Sequence, residues 1–131
     1  MPEGNVEIVR RLYEAMNDQD AGAAIELTDP DVEWVADPRL GMGPLLGRDA
    51  VIGFFQDQAN TFEDLSVEVE RLSEAGDNVL AFLRVTGRGR ASGAAIDISI
   101  GHVWVLRDGA VVRGEGFGDR DEALRAAGLS E

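Results

Sequence analysis

Apolar residues recur at different periods in the two halves of the chain, and this change separates helices from strands. In the first half, apolar residues three or four positions apart predict helices over 5–19, 20–29 and 48–62. Proline and glycine residues predict a loop over 37–47, directly after a short strand at 32–36. Three helices and one short strand are therefore expected before the spacing of apolar residues changes from the helical period to that of strands.

The second half alternates apolar and polar residues, which is typical of strands with one buried face. Strands are predicted at 65–70, 79–85, 96–106 and 111–117, and Asp108-Gly109 predicts a tight hairpin between the last two. Asp119, with Glu122 three residues later, is placed to cap a short final helix. The expected architecture is an α+β fold with helices packed on one face of a mostly antiparallel sheet, in a single domain spanning residues 1–131.

The composition narrows the functions that this fold could carry. The formal net charge is −13, which disfavours binding to nucleic acid or to an anionic membrane surface. There are no cysteines and one histidine, His102, so disulfides, thiolate sites and multi-histidine metal sites are excluded. No apolar run is long enough to span a membrane, and residues 1–4 lack the features of a signal peptide. We therefore expect a cytoplasmic protein that uses no metal and no other cofactor.

Four local motifs stand at characteristic places in this order of elements. They are Val9-Arg-Arg-Leu-Tyr-Glu-Ala-Met16, Asp29-Pro-Asp-Val-Glu-Trp34, Leu46-Gly-Arg-Asp-Ala-Val51 and the segment from Phe117 to Leu129. Together with the order of elements, they make the chain similar to the nuclear transport factor 2-like superfamily, and most of all to its SnoaL-like branch. The resemblance covers nearly the whole chain and indicates a fold more specifically than it indicates a reaction.

The resemblance implies a cone-shaped α+β barrel, a homodimer and an apolar pocket between sheet and helices. Its members include ketosteroid isomerases, polyketide cyclases, epoxide hydrolases and many proteins of unknown role. By this resemblance the chain binds a small hydrophobic molecule, with cofactor-independent isomerase, cyclase or hydrolase chemistry carried by an acid and a base. The alternative is a non-catalytic ligand-binding or dimeric scaffold domain, because several side chains of the catalytic members are missing here.

The resemblance also assigns site residues position by position. Asp37, which precedes Pro38, matches the general base of the isomerases, and an apolar pocket would raise the pKa of its carboxyl. The oxyanion acid of the isomerases falls on Gly101, and the acid of the cyclases falls near Gly116, where the missing side chain would widen the pocket. Tyr13 lies one position away from the isomerase tyrosine and is either an assisting group or part of the core.

Further candidates come from the residue pattern itself. Arg84 lies between two apolar strand residues, where a charge needs a partner, and Asp37 or Asp97 would supply one inside the cavity. Three aromatic side chains are expected to line the pocket or the core: Trp34, Phe55 and Phe82.

The strand at 96–106 has two faces, and they support opposite interpretations. Alternation alone places the apolar face inside, with His102 as the acid or base of the pocket. The resemblance instead places Asp97 and Gly101 inside and makes the apolar face a dimer patch. We adopt the second interpretation as the prediction, with a homodimer formed through Ile98, Ile100 and Trp104.

Overall fold

A computed structural model describes residues 4–129, which form four α-helices and one six-stranded sheet. The helices are α1 (Asn5–Asn17), α2 (Ala21–Glu26), α3 (Arg48–Thr61) and α4 (Arg120–Ala126), and a 3₁₀ turn spans Pro38–Leu40. The strands are β1 (Thr28–Val35), β2 (Leu45–Leu46), β3 (Phe62–Ala75), β4 (Asn78–Gly89), β5 (Ala95–Arg107) and β6 (Ala110–Phe117). The prediction that residues 1–4 lack the features of a signal peptide falls mostly on residues 1–3, which lie outside the described range. Among the described helices, none has the length and apolar character to cross a membrane.

The sheet has the strand order β2-β1-β6-β5-β4-β3. Only β1 and β6 are parallel, and the other four pairs are antiparallel. The predicted α+β class and the mostly antiparallel sheet are therefore confirmed. The sheet is not a closed barrel, because in the described residues β2 and β3 form two edges that do not pair with each other, and β2 contains only two residues.

The two faces of the sheet carry separate apolar cores. The inner face packs against α1, α2 and α3, and Val9, Leu12 and Tyr13 of α1 meet the apolar residues of β4 and β5 there. The outer face packs against α4, where Leu80 and Val103 contact the apolar side of that helix. Burial of both clusters away from water holds the layers together.

Local signals explain where most elements begin and turn. Asp20 caps α2, since its carboxylate accepts from Ala23 N at 3.1 Å. Asp108 and Gly109 both have positive φ, 53° and 79°, as the predicted tight hairpin requires. Asp119 caps α4 as predicted, but Glu122 does not complete a capping box and pairs with Arg39 instead.

Several boundaries differ from the predictions: α2 ends at Glu26, β4 continues to Gly89, and β2 lies inside the predicted loop. The first helix ends at Asn17 and is capped by Gly4 without a side-chain bond. The first strand begins at Thr28 because it pairs with β6 over a longer stretch than the apolar pattern shows. The strand predicted at 65–70 is longer, Phe62–Ala75, since it stays paired with β4 on both sides of two register shifts.

Asn17, the last residue of α1, completes the pairing of the edge strand β3. Its side-chain amide donates to Val67 O and accepts from Val67 N, both at 2.9 Å. The amide therefore occupies the place that a neighbouring strand would take and satisfies two backbone groups at a sheet edge. This contact holds α1 against β3 and closes one side of the space between helices and sheet.

Candidate functional site

A cavity lies between the inner face of the sheet and the helices α1, α2 and α3. Its volume is about 1110 Å³, slightly above the range of about 300–1,000 Å³ that is typical of ligand sites. Apolar and aromatic side chains form most of its wall: Trp34, Phe54, Phe55, Ile98, Ile100 and Trp104. Within residues 4–129, no group of three or more histidine, aspartate or glutamate residues is arranged to hold a metal ion.

A row of three hydrogen-bonded side chains forms the buried end of this cavity. Trp104 Nε1 donates to Tyr13 Oη at 2.7 Å, and Tyr13 Oη lies 2.7 Å from His102 Nδ1. The three residues come from α1 and β5, and their exposed fractions are 2%, 1% and 7%. Trp34 packs edge-on against the imidazole, with ring centroids 5.0 Å apart.

Burial keeps the histidine and the tyrosine of this row uncharged. Removal from water disfavours the imidazolium and lowers the pKa of His102 to about 3. The same effect raises the pKa of the Tyr13 hydroxyl well above its ordinary value, despite the hydrogen bond from Trp104. Near neutral pH, the deep end of the cavity therefore offers neutral hydrogen-bonding groups and no charge.

The glycines of β6 make room for tryptophan rings and do not widen the cavity. A Cβ atom on Gly114 would lie 2.4 Å from Cζ3 of Trp104, and one on Gly116 would lie 3.0 Å from Cζ2 of Trp34. Gly116 lines the cavity as predicted, but the space of its missing side chain is filled by Trp34. The polar group of the site is accordingly on β5, at His102, and not on the last strand.

Asp37 follows the end of β1 and lines the same cavity, but its carboxyl group does not have the raised pKa that was predicted for a base. Its Oδ1 accepts from Arg39 N and Nε, both at 2.9 Å, and its Oδ2 accepts from Arg39 Nη2 and Gly118 N, both at 2.7 Å. These contacts hold the pKa of Asp37 far below its usual range, with the Arg39 side chain as the largest cause. The expectation of a raised pKa is wrong, because the carboxylate is not left alone in an apolar pocket. It is paired with Arg39 and accepts a hydrogen bond from Gly118 N.

Arg39 connects Asp37 to the outer helix. Its Nη2 also donates to Glu122 on α4, at 3.0 Å. The Asp37–Arg39–Glu122 cluster thus joins the ends of β1 and β6 to α4 at one margin of the cavity. We refer to this cluster as the mouth clasp.

Four predicted site residues lie on the outer face, away from the cavity. Arg84 and Asp97 form an exposed ion pair, with Nη2 and Oδ2 2.6 Å apart. Phe82 packs in the outer core with α4, and a Cβ atom on Gly101 would lie 2.6 Å from Cβ of Ala123. The inner positions expected for Asp97 and Gly101 were wrong because alignment by resemblance places the inner face one residue out of register. Arg84 has Asp97 as its partner, but outside the cavity, and Phe82 lies in the core, which is one of the two places expected for it.

The apolar side of β5 lies inside, as alternation indicated. Ile98 and Ile100 line the cavity, and Trp104 is 2% exposed beneath α1. The prediction that Ile98, Ile100 and Trp104 form an outer dimer patch is therefore wrong in its placement of these residues. The homodimer itself stays a prediction.

The sequence matches a known family over most of its length. The family model of the SnoaL-like domain matches residues 9–114. The chain belongs to the SnoaL-like domain family. No match to the sequence was found among curated proteins.

Solved structures reproduce the whole fold of this SnoaL-like domain. A protein from Jannaschia sp. CCS1, assigned as a SnoaL-like polyketide cyclase, is 26% identical with a TM-score of 0.79, covering 97% of this chain and 93% of its own. IdmH from Streptomyces antibioticus, assigned as a polyketide cyclase, is 21% identical with a TM-score of 0.77, covering 96% and 100%. TerC, co-crystallised with polyporic acid, is 23% identical with a TM-score of 0.77, covering 95% and 98%. At these identities the last two likenesses show the fold alone.

Three residues of the candidate site were missed in the sequence. Arg39 and Gly118 engage Asp37, and Glu122 completes the mouth clasp. An arginine directly after an Asp-Pro pair is a local signal that could have identified the partner of Asp37. The contact with Glu122 spans 83 positions and has no comparable signal in the sequence.

Proposed function

We propose that this SnoaL-like domain binds a flat, hydrophobic molecule in the inner cavity and holds a polar atom of that molecule against His102. The observation that carries the proposal is a buried, uncharged imidazole at the end of an apolar cavity of about 1110 Å³. Apolar walls with a small number of fixed polar groups are typical of small-molecule sites.

The aromatic wall favours a flat ligand. Trp34 and Phe55 meet edge to face with centroids 5.0 Å apart, and Phe54 packs on Phe55 at 5.3 Å. Such rings bury a large apolar area and favour planar partners. The polyketide cyclase relatives, and polyporic acid in the TerC structure, support aromatic polyketide-like compounds as the first ligands to test.

The reaction that this site fits best is a cofactor-independent isomerisation or cyclisation. A neutral imidazole in a mostly apolar cavity would stabilise negative charge that develops on a ligand oxygen. Asp37 is a carboxylate of the same cavity and would act as the base once Arg39 moves from it. Hydrolysis would use the same two groups to activate water.

A non-catalytic binding role is the second candidate, and the mouth clasp favours it. All the hydrogen bonds of the Asp37 carboxylate go to Arg39 and Gly118, so its basicity is low in this conformation. A protein with this clasp closed would bind its ligand without transferring a proton.

Binding can be tested with two neighbouring substitutions on opposite faces of β5. Ile98→Glu places a carboxylate in the cavity wall, whereas Ser99→Glu places one on the exposed outer face. We expect isothermal titration calorimetry to detect polyporic acid binding to the wild type and Ser99→Glu proteins, and at least about a tenfold loss with Ile98→Glu. Equal affinities for all three proteins, or no binding by any of them, would contradict the proposal for this ligand class.

The catalytic part has its own test. Any compound that binds is followed for conversion by the wild type, Asp37→Asn and Arg39→Gln proteins. We expect Asp37→Asn to abolish turnover and Arg39→Gln to raise it, because the second change frees the carboxylate. Turnover that persists in Asp37→Asn would remove Asp37 from the mechanism.

A further inference from the structure

The donors and acceptors of the buried row can be assigned by counting protons. Trp104 Nε1–H can only donate, so Tyr13 Oη accepts from it. The hydroxyl of Tyr13 still has its own proton to donate, and the neighbouring polar atom is His102 Nδ1, 2.7 Å away. Because the imidazole is neutral, Nδ1 is then the unprotonated acceptor and the single ring proton is on Nε2.

The opposite arrangement leaves a buried proton without an acceptor. If Nδ1 carried the proton, Tyr13 Oη would have to accept from both His102 and Trp104. The Tyr13 proton would then have no acceptor among residues 4–129, although the residue is only 1% exposed. An unmade buried hydrogen bond is costly, so the row favours one tautomer.

The free edge of the imidazole faces the cavity. Among residues 4–129, the buried side-chain polar atoms without a partner are Nε1 of Trp34 and Nε of Arg120. Nε2 of His102 is not one of them, although no described group hydrogen-bonds to it, and the residue lines the cavity. This nitrogen is therefore open to whatever occupies the cavity.

We infer that Trp104 and Tyr13 lock His102 as a hydrogen-bond donor, so that the cavity selects molecules with an acceptor oxygen, of the ketone or quinone type, at this position. Molecules with only a donor there are rejected, because two N–H groups would face each other without an acceptor. Tyr13 is thus a positioning residue that determines specificity through His102. This inference rests on the proposed function and refines its ligand class.

The tautomer is measurable without any ligand. His102 is the only histidine of the chain, so tag-free protein labelled with ¹⁵N-histidine gives the signals of a single imidazole. We expect a long-range ¹H–¹⁵N spectrum to show a protonated Nε2 and an unprotonated Nδ1 in the wild type. A protonated Nδ1 would overturn the inference directly, and no variant has to fold for this result.

The ligand class is tested with three flat tricyclic compounds of similar shape. Fluorenone carries an acceptor, carbazole a donor, and fluorene neither. We expect the wild type to bind fluorenone at least about tenfold more tightly than carbazole, with fluorene between them. In Tyr13→Phe the imidazole is no longer held in one tautomer. The ratio of the affinities for fluorenone and carbazole should therefore fall to about threefold or less.

The outcomes separate this inference from the proposed function. Equal affinities for fluorenone and carbazole, both weakened by Ile98→Glu, would overturn the acceptor class while leaving cavity binding intact. An unchanged ratio in Tyr13→Phe would overturn the role of Tyr13. Failure of all three compounds to bind would overturn the acceptor class together with cavity binding, and the labelled spectrum would still decide the tautomer.

Discussion

The two faces of β5 carry polar groups under opposite conditions. On the outer face, Arg84 and Asp97 are charged, half-exposed and paired with each other. On the inner face, His102 and Tyr13 are buried and neutral, and they are joined by a hydrogen bond. An ion pair that is exposed to water contributes little to stability, whereas a neutral polar group inside an apolar cavity is costly without its hydrogen-bond partner. On β5, the charged pair therefore lies outside the candidate site, and the neutral histidine lies inside it.

Removal of the Trp104 side chain from the inner face should reduce the stability of the protein most. Its ring fills the space over Gly114 and anchors the buried row, so Trp104→Ala should destabilise the fold by about 3–5 kcal/mol. Urea unfolding followed by far-ultraviolet circular dichroism measures the loss. Asp97→Ala on the outer face is the matched control, and we expect little change in its unfolding midpoint. Comparable losses in the two variants would contradict the contrast.

The stability of the protein should depend on pH through His102. The folded-state pKa of His102, about 3, lies below its ordinary value of 6.5, so the unfolded chain binds the proton first as pH falls. Stability should therefore be complete above pH 6.5 and fall by up to about 1.4 kcal/mol per pH unit between that value and pH 3. Urea midpoints at intervals from pH 7.5 to pH 4.5 test this slope. His102→Gln should flatten the upper part of the curve, and an equally steep curve in that variant would exclude His102 as the cause.

The hydroxyl of Tyr13 should matter more than a surface hydroxyl. Tyr13→Phe leaves Trp104 Nε1–H and His102 Nδ1 without their shared partner, which should cost about 1–3 kcal/mol. Ser99→Ala removes an exposed hydroxyl of β5 and should change stability by less than about 0.5 kcal/mol. Thermal and urea unfolding of both proteins give the comparison. A Tyr13→Phe protein as stable as Ser99→Ala would show that the row contributes no net stabilisation.

Asn17 provides the smallest of these effects, at the edge of the inner layer. Asn17→Asp keeps the acceptor for Val67 N but loses the donor to Val67 O. The free energy of unfolding should therefore fall by about 0.5–2 kcal/mol. Hydrogen exchange should also quicken at Val67 more than in the middle of β4. Exchange that accelerates equally in both strands would point to global destabilisation and not to a loosened edge.

The fold could be predicted from the sequence because its signals are local. Alternation located β4, β5 and β6, Asp108-Gly109 marked the hairpin, and Asp20 marked a helix start. The open edges were not predictable in the same way, because whether β2 and β3 meet depends on the whole path of the sheet.

The candidate site was predicted less well, and β5 shows why. Its two faces differ by one residue in register, and alternation of apolar residues placed His102 inside correctly. Alignment by resemblance moved the inner face to Asp97 and Gly101, which lie outside. The row of Trp104, Tyr13 and His102 joins residues about 90 positions apart, so no spacing along the chain could have revealed it.

The central claim is that the inner face holds a buried, neutral histidine, and an NMR titration of the His102 ring tests it most directly. Burial predicts that the ring stays unprotonated from pH 8 down to about pH 4.5 while the protein remains folded. A protonation midpoint near 6.5 in the folded protein would mean that the imidazole is in contact with bulk water, and it would contradict the account of the site.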